Sequence, residues 1–344
     1  MLLAVSLVVG AGVGCGSDGS APPPDAAPDL TFEFGPYPLA ASQEITDDCV
    51  QVTLNNDEPI DVNAVELASG MGFHHSNWFW TKEAYAFGDD GTFSCKSRNY
   101  NEATAALAGG VLFAQSTQNT HEQQQFPAGT VVRIPPRSKI IAGIHLLNAS
   151  DTAITVPLQL KLTAIPESAV TIHLAGISFE DHALGLPPMA MSAFTQECDL
   201  APDYLDQLGK MPDFNIYYAL GHYHTLGTGL TLEAVRPDGT STLVYTTAGR
   251  VGDALGGPID PPFSMSGYSK LRYRCDFYND RNETVGWGVG DQEMCVFLAF
   301  SDSPFNWGGG ETFDVPPGTP SDVGGVPTFT QPCQVFFTSL NGTM

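Results

Sequence analysis

The chain has 344 residues and a formal net charge of −24, with 14 Lys and Arg residues against 38 Asp and Glu residues. Such an acidic composition argues against a nucleic-acid partner, which needs basic surfaces, and against docking on anionic lipids. The length suits two domains of about 150 residues each. Abundant Gly and Pro beside few basic residues predict a turn-rich, helix-poor protein.

The first 15 residues predict export. Residues 1–14 are apolar and small, and this run is too short to span a bilayer. Cys15 follows directly and resembles the acylated cysteine of bacterial lipoproteins, so we expect a cell-envelope lipoprotein or, alternatively, a plainly secreted protein. A lipid on Cys15 would be the membrane attachment. Residues 16–44 are predicted to be a flexible tether, since residues 16–30 are rich in Gly, Ser, Ala, Pro and Asp.

Short runs of β-branched and aromatic residues, separated by turn signals, recur after the tether. One run places Leu158, Leu160 and Leu162 on one side and the polar Gln159 and Lys161 on the other. This period of two is typical of a half-buried strand.

The order of these runs predicts an all-β chain of two tandem, antiparallel, jelly-roll-like β-sandwiches. The Ile-Pro at 165–166 marks the predicted boundary between a domain at 45–165 and one at 166–344. Residues 198–210 indicate one short helix. Residues 302–332 are dense in Pro and Gly and are predicted to be a long loop without core residues.

Six cysteines remain once Cys15 is set aside, an even number in an exported chain. They predict three disulfides, for which the sequence alone allows fifteen pairings. The six are Cys49, Cys95, Cys198, Cys275, Cys295 and Cys333.

Three histidines of the first predicted domain are candidate metal ligands. His74 and His75 are adjacent, and neighbouring strand residues point to opposite faces. Both can therefore bind one metal only at a bulge or turn, or through different ring nitrogens. His145 interrupts an otherwise apolar strand and could equally be a hydrogen-bonded core residue. We call these three residues the three-histidine group.

Two histidines and a methionine of the second predicted domain form another candidate set, which we call the His–Met group. His222 and His224 are two positions apart, so on a strand they share a face and can converge on one metal. Met294 offers a thioether, which suits Cu(I) and is a poor ligand for hard cations. Zinc would leave this methionine unexplained. The adjacent Cys295 is expected on the opposite face of the same strand.

The His-His pair, the lone His, the His-x-His and the Met-Cys, in this order, resemble the copper type II, ascorbate-dependent monooxygenases. This family includes peptidylglycine α-hydroxylating monooxygenase and dopamine β-monooxygenase. The resemblance extends from Cys49 to Cys295. It implies two copper ions per chain, one in each group, with the active site in the cleft between the domains. The remaining His121, His173 and His182 have no place in the pattern.

The resemblance also implies a reaction and a disulfide pattern. Ascorbate would reduce both coppers, the three-histidine copper would donate an electron, and the His–Met group would be catalytic, using O2 to hydroxylate a small substrate. The implied disulfides are Cys49–Cys95, Cys198–Cys333 and Cys275–Cys295.

The chain departs from the peptide-amidating members of this family at the positions that grip the substrate carboxylate. Those members have an Arg two residues before the His-x-His, and an Asn and a Tyr after the Met. The matching residues here are Leu220, Val296 and Leu298. Because these side chains cannot hold an anion, we expect an apolar or aromatic substrate.

Two other classes of function stay open at this stage. The protein could be an exported copper carrier that keeps the ligands without monooxygenase turnover. It could also be a structural or adhesive β-sandwich without a metal. Coupled consumption of O2 and ascorbate would distinguish the enzyme from both.

Overall fold

The structure is a computed structural model that describes residues 29–85, 88–116, 118–249, 253–288, 290–310 and 318–339. Cys15, the predicted signal and most of the predicted tether lie outside the described residues. The regular secondary structure of the described residues is almost all β-strand, which confirms the all-β class. None of its helices has both the length and the apolar character that crossing a membrane requires.

The chain divides into two compact units. The first comprises Met1–Ala114 and Thr120–His173, and the second comprises Gln115–Asn119 and Leu174–Met344. The passage between them after His173 falls beyond the predicted boundary at 165–166. A short strand at Ile172–His173 still belongs to a sheet of the first unit.

The first unit contains eleven strands and one α-helix, α1 (Glu102–Ala108), within the described residues. Its 3-10 turns are Glu83–Tyr85, Lys96–Arg98 and Glu167–Ala169. Its strands are β1 (Leu30–Leu39), β2 (Glu44–Thr53), β3 (Ile60–Ser69), β4 (Phe73–Lys82), β5 (Gly91–Ser94), β6 (Gly109–Ala114), β7 (His121–Gln125), β8 (Thr130–Ile134), β9 (Ser138–Leu147), β10 (Ile154–Ala164) and β11 (Ile172–His173).

These strands form two sheets. One has the order β1-β10-β3-β8-β11, with β7 also paired to β3, and the other has the order β5-β2-β9-β4-β6. All pairs are antiparallel except that of β11 with β8. The central strand β9, which contains His145, is therefore flanked by β2 and by β4, which contains His74 and His75.

Strand β1 corrects the prediction that residues 16–44 are a flexible tether. Its alternating residues Leu30, Phe32 and Phe34 pair with β10, where Phe32 lies opposite Leu160. Phe32 is buried, so this part of the segment belongs to the sheet rather than to a linker. The alternation predicted within β10 is confirmed, since its three leucines are buried and Gln159 is exposed.

The second unit contains fourteen strands and one α-helix, α2 (Ala201–Leu208), within the described residues. The helix confirms the one predicted within residues 198–210. The strands are β12 (Ala175–Glu180), β13 (Gly185–Leu186), β14 (Ala190–Asp199), β15 (Asn215–His222), β16 (Gly227–Val235), β17 (Ser241–Thr247), β18 (Gly257–Ser264), β19 (Lys270–Asn279), β20 (Val285–Gly286), β21 (Val296–Ser301), β22 (Phe305–Gly310), β23 (Ser321–Val323), β24 (Val326–Pro332) and β25 (Gln334–Ser339).

Two six-stranded sheets make up most of this unit. Their orders are β18-β15-β21-β12-β22-β25 and β17-β16-β19-β14-β24-β23, and β13 pairs with β20. One hydrophobic cluster draws on both sheets, with Phe179 and Phe297 from the first and Phe194 and Phe277 from the second. The β-sandwich class is thus confirmed.

The prediction that residues 302–332 form a loop without core residues is wrong. This stretch contributes β22, β23 and β24, and Trp307 is 3% exposed. The Trp307 ring stacks on Tyr204 with centroids 5.5 Å apart. Phe305 and Trp307 are buried in β22 despite the nearby Gly and Pro residues. Burying their aromatic side chains is strongly favourable and stabilises this strand in the core.

All three implied disulfides are present. Cys49 pairs with Cys95, Cys198 with Cys333, and Cys275 with Cys295. Three disulfides in one chain are typical of an oxidising compartment, so the protein belongs to the exported class.

The burial of Trp307 gives a stability prediction. Trp307→Ala should lower the free energy of unfolding by about 3–5 kcal/mol, because it removes a core side chain and leaves a cavity. Val323→Ala, at a side chain in β23 that is 49% exposed, should change it by less than about 0.5 kcal/mol. Equilibrium denaturation of the oxidised proteins measures both. Equal stability of the two variants would contradict the packing described for β22.

Candidate functional site

A β-bulge brings the adjacent His74 and His75 to one place. The register of β4 against β9 shifts between Phe73, which lies opposite Leu146, and His75, which lies opposite His145. His74 is the extra residue, and at a bulge successive side chains need not point to opposite faces. The bulge therefore allows the adjacent His74 and His75 to bind one metal ion.

The three rings of the three-histidine group converge. Ligand atoms of His74, His75 and His145 all lie within 4.8 Å of one another. The Nδ1 atoms of His74 and His75 are 2.9 Å apart. Two nitrogens bound at roughly 2.0–2.1 Å to one metal are about 2.9 Å apart when they subtend roughly 90° at it. This spacing fits a shared metal ion.

The hydrogen bond from His145 to Glu44 determines which nitrogen of His145 can bind a metal. His145 Nε2 lies 2.8 Å from Glu44 Oε1, and an ionised carboxylate can only accept, so Nε2 donates. The lone pair is then on Nδ1, a buried atom with no hydrogen-bond partner among the described residues. Burial lowers the pKa of His145 more than the Glu44 hydrogen bond raises it, which favours the neutral ring.

His222 of the His–Met group is the last residue of β15, opposite Val296 of β21. Its Nδ1 lies 3.2 Å from the Gln115 carbonyl oxygen and 3.0 Å from that of Ser116. Carbonyl oxygens only accept, so Nδ1 is protonated and the lone pair is on Nε2. Burial and the neighbouring His224 lower the pKa of His222 to about 3, so the ring is neutral at physiological pH.

His224 lies just beyond the end of β15, so the expectation that both histidines share a strand is wrong for this residue. Its ring still approaches that of His222, with centroids 5.3 Å apart. His224 Nδ1 lies 2.8 Å from the Gln292 carbonyl oxygen. This acceptor again leaves the lone pair on Nε2.

Met294 precedes β21 rather than lying within it, which also corrects the expectation of a strand with Met294 and Cys295 on opposite faces. Since His222 is opposite Val296, a continued antiparallel register would place His224 opposite Met294. The half-buried Met294 is followed by Cys295, which is bound to Cys275 of β19. The disulfide fixes the chain beside the candidate thioether ligand.

Glu293 connects the two halves of the His–Met group. Its carboxylate accepts hydrogen bonds from the backbone N–H groups of His224 (2.9 Å) and Leu226 (2.7 Å). It also accepts one from the backbone N–H of Met294. Burial raises the pKa of Glu293 to about 7, against the lowering effect of these three bonds.

Leu220, Val296 and Leu298, the predicted substrate-pocket residues, share a sheet face with His222. Leu220 lies opposite Leu298, just as His222 lies opposite Val296, and residues paired in this way point to the same side. All three are buried. Glu180 of β12 lies opposite Val296 on its other side and adds a carboxylate to this face.

The remaining histidines lie outside both groups. His121 contacts Glu66 at 2.8 Å, His173 lies 3.8 Å from Asp61, and His182 contacts Glu180 at 2.7 Å.

Several residues that hold the candidate ligands were not predicted from the sequence. These residues accept hydrogen bonds from ring nitrogens or from the backbone beside the ligands. They are Glu44, Glu293 and the carbonyls of Gln115, Ser116 and Gln292. A signal was available only for Glu293, since this acidic residue directly precedes the candidate methionine. Every residue has a backbone carbonyl, so the sequence does not indicate which carbonyls accept these hydrogen bonds.

No family model and no curated protein matches this chain. Among solved structures, it is similar to a protein of Parabacteroides distasonis entitled "putative secreted protein", with 10% identity over 81% of this chain and 90% of the other, at a TM-score of 0.21. The PBSX exported protein XepA gives 8% identity over 79% and 86%, at a TM-score of 0.20. The CBM22-1-CBM22-2 tandem domain of Paenibacillus barcinonensis Xyn10C gives 13% over 74% and 82%, also at 0.20. Likenesses this distant support no inference about function.

The hydrogen bonds predict the tautomers of the metal-free protein. His222 and His224 should be protonated at Nδ1, and His145 at Nε2. Long-range proton–nitrogen NMR of the imidazoles measures this directly. His222 should keep its neutral signals between pH 8 and 5, because burial holds its pKa at about 3. Protonation at Nε2 of His222 or His224, or a charged His222 at pH 5, would contradict these assignments.

Proposed function

We propose that this exported protein is a copper- and ascorbate-dependent monooxygenase that binds two copper ions per chain. The supporting observation is the way the candidate ligands are held. In both groups a protein acceptor binds one ring nitrogen of a histidine and leaves the lone pair on the other. Such outer hydrogen bonds are typical of metal-binding histidines, whose tautomer and orientation they fix.

The donor atoms fit copper better than other metals. Imidazole binds zinc, copper, iron and nickel, whereas a thioether selects Cu(I). The three-histidine group would hold one ion and the His–Met group the other. Bound copper would supply one-electron redox chemistry between Cu(I) and Cu(II).

The proposed reaction requires two electrons from outside the substrate. One atom of O2 enters a C–H bond to give an alcohol, and the other leaves as water with two protons. Ascorbate, or a similar one-electron donor, supplies the two electrons. The chain's own residues hold the ligands, and the disulfide at Cys295 anchors the segment that contains Met294.

The face beside His222 supports a small apolar or aromatic substrate. Leu220, Val296 and Leu298 offer no donor to an anion, and Glu180 on the same face would repel one. Membrane attachment through a lipid on Cys15 is part of the same proposal, and rests on the sequence of the export signal.

An exported copper carrier is the second candidate. The ligand groups alone would serve it equally well, because holding copper needs the same nitrogens and sulfur. Turnover, rather than binding, separates the two.

Copper loading and O2 uptake test the proposal together. Wild type should bind two copper ions and consume O2 with ascorbate. His145→Ala should retain one copper, and Met294→Ala should weaken copper binding and O2 uptake by at least about 10-fold, since losing even an outer partner of a metal ligand costs about 10–100-fold. His121→Ala, an exposed histidine outside both groups, is the matched control and should behave as wild type. Two coppers without substrate-coupled O2 consumption would favour the carrier, and no copper would contradict both functions.

Substrate charge gives a separate prediction. A glycine-extended peptide should not be hydroxylated above the level seen with His224→Ala, because its carboxylate meets apolar side chains and Glu180. Mass spectrometry of the peptide after incubation with copper-loaded protein, ascorbate and O2 measures this. Hydroxylation by wild type alone would show that the substrate prediction is wrong while supporting the monooxygenase itself.

A further inference from the structure

The carboxylate of Glu293 is buried, with only 1% of the residue exposed, and backbone N–H groups donate hydrogen bonds to both of its oxygens. Removing a carboxylate from water is costly unless its oxygens accept hydrogen bonds. Three N–H groups satisfy it here, those of His224, Leu226 and Met294. They come from two segments that are about seventy residues apart in the chain.

These bonds act on both sides of the His–Met group. Oε2 accepts from His224 at 2.9 Å, and Oε1 accepts from Leu226 at 2.7 Å, so the turn after β15 is held at two points. The Met294 N–H binds the same carboxylate, and the Gln292 carbonyl accepts from the His224 ring. The segment 292–294 therefore holds the backbone and the imidazole of His224 at once.

The backbone of Glu293 is itself fixed. Its N–H donates to the Gly286 carbonyl at 2.9 Å, and its carbonyl accepts from Gly288 at 3.1 Å. A carboxylate anchored in this way can fix the distance between two chain segments that no regular strand pairing joins, since β15 has ended and β21 has not begun.

We infer that Glu293 is a positioning residue that holds His224 and Met294 at the separation needed to bind one copper ion. This inference rests on the proposed function of the His–Met group. Glu293 does not touch the metal in this account. It acts through the backbone of the two ligands, as outer partners of metal sites commonly do.

The competing explanation is that Glu293 contributes only to folding. A matched variant distinguishes this explanation from positioning of the copper ligands. Asp302 also accepts three hydrogen bonds, from Asn215 N (2.5 Å), Asn215 Nδ2 (2.9 Å) and Tyr217 Oη (3.0 Å). It holds the start of β15, whereas Glu293 holds the turn after its end. Asp302→Asn therefore alters a carboxylate that also accepts three hydrogen bonds, at the other end of β15 and away from the ligands.

The test compares Glu293→Gln and Asp302→Asn in a His145→Ala background, which isolates the His–Met group. Titration against a competing Cu(I) chelator gives the affinity, and electron paramagnetic resonance of the Cu(II) form gives the ligand field. The Gln side chain has the same shape, but its NH2 group cannot accept from a backbone N–H. We expect Glu293→Gln to weaken Cu(I) binding by about 10–100-fold and to change the Cu(II) spectrum. Asp302→Asn should leave both unchanged even if its melting temperature falls.

Glu293→Asp keeps the inference testable if the Gln variant does not fold. Its carboxylate is one methylene shorter and cannot reach all three N–H groups, so we expect an intermediate loss of affinity. Unchanged affinity and spectrum in whichever Glu293 variant folds would overturn the positioning role, as would equal losses in Asp302→Asn. Failure of the proposed function would give a different result. The His145→Ala protein would then bind no copper, or would bind copper that is retained when His224→Ala is added.

Discussion

Strand register is the constraint on which both candidate metal groups depend. His75 and His145 are seventy positions apart in the chain and meet because β4 and β9 pair with them opposite each other. The same pairing would leave His74 on the other face, were it not for the bulge that follows Phe73. In the second unit, the pairing of β15 with β21 places His222 opposite Val296, two residues after Met294. A shift of one residue in either pair would separate the ligands.

Hydrogen bonds then select the nitrogen that each group presents. In the three-histidine group, the Glu44 carboxylate accepts a hydrogen bond from His145 Nε2–H, which leaves the Nδ1 lone pair for a metal. In the His–Met group, backbone carbonyls accept hydrogen bonds from Nδ1–H of His222 and His224, which leaves the Nε2 lone pairs. Hydrogen bonds thus leave Nδ1 of His145 available in one group and Nε2 of His222 and His224 available in the other. The rings of His145 and His222 are neutral at physiological pH because burial lowers the pKa of each, since desolvation penalises the imidazolium.

Much of the architecture could be predicted from the sequence, because alternation in runs such as that around Leu160 reports burial directly. The disulfide pairs followed from a family resemblance rather than from spacing. Composition misled at Trp307, where Gly and Pro nearby suggested a loop although an aromatic residue enters the core. The contacts of Glu44 and the end of β15 before His224 could not be predicted, since both depend on tertiary pairing that a single sequence does not encode locally.

The central claim is that the chain builds two copper sites of different ligand type. Anomalous diffraction at the copper edge, on crystals of the copper-loaded protein reduced with ascorbate, tests it most directly. The account predicts two peaks, one bonded to Nδ1 of His145 with both rings of the His74–His75 pair, and one bonded to Nε2 of His222 and His224 and to the sulfur of Met294. A single peak, or copper bound at other residues, would contradict it.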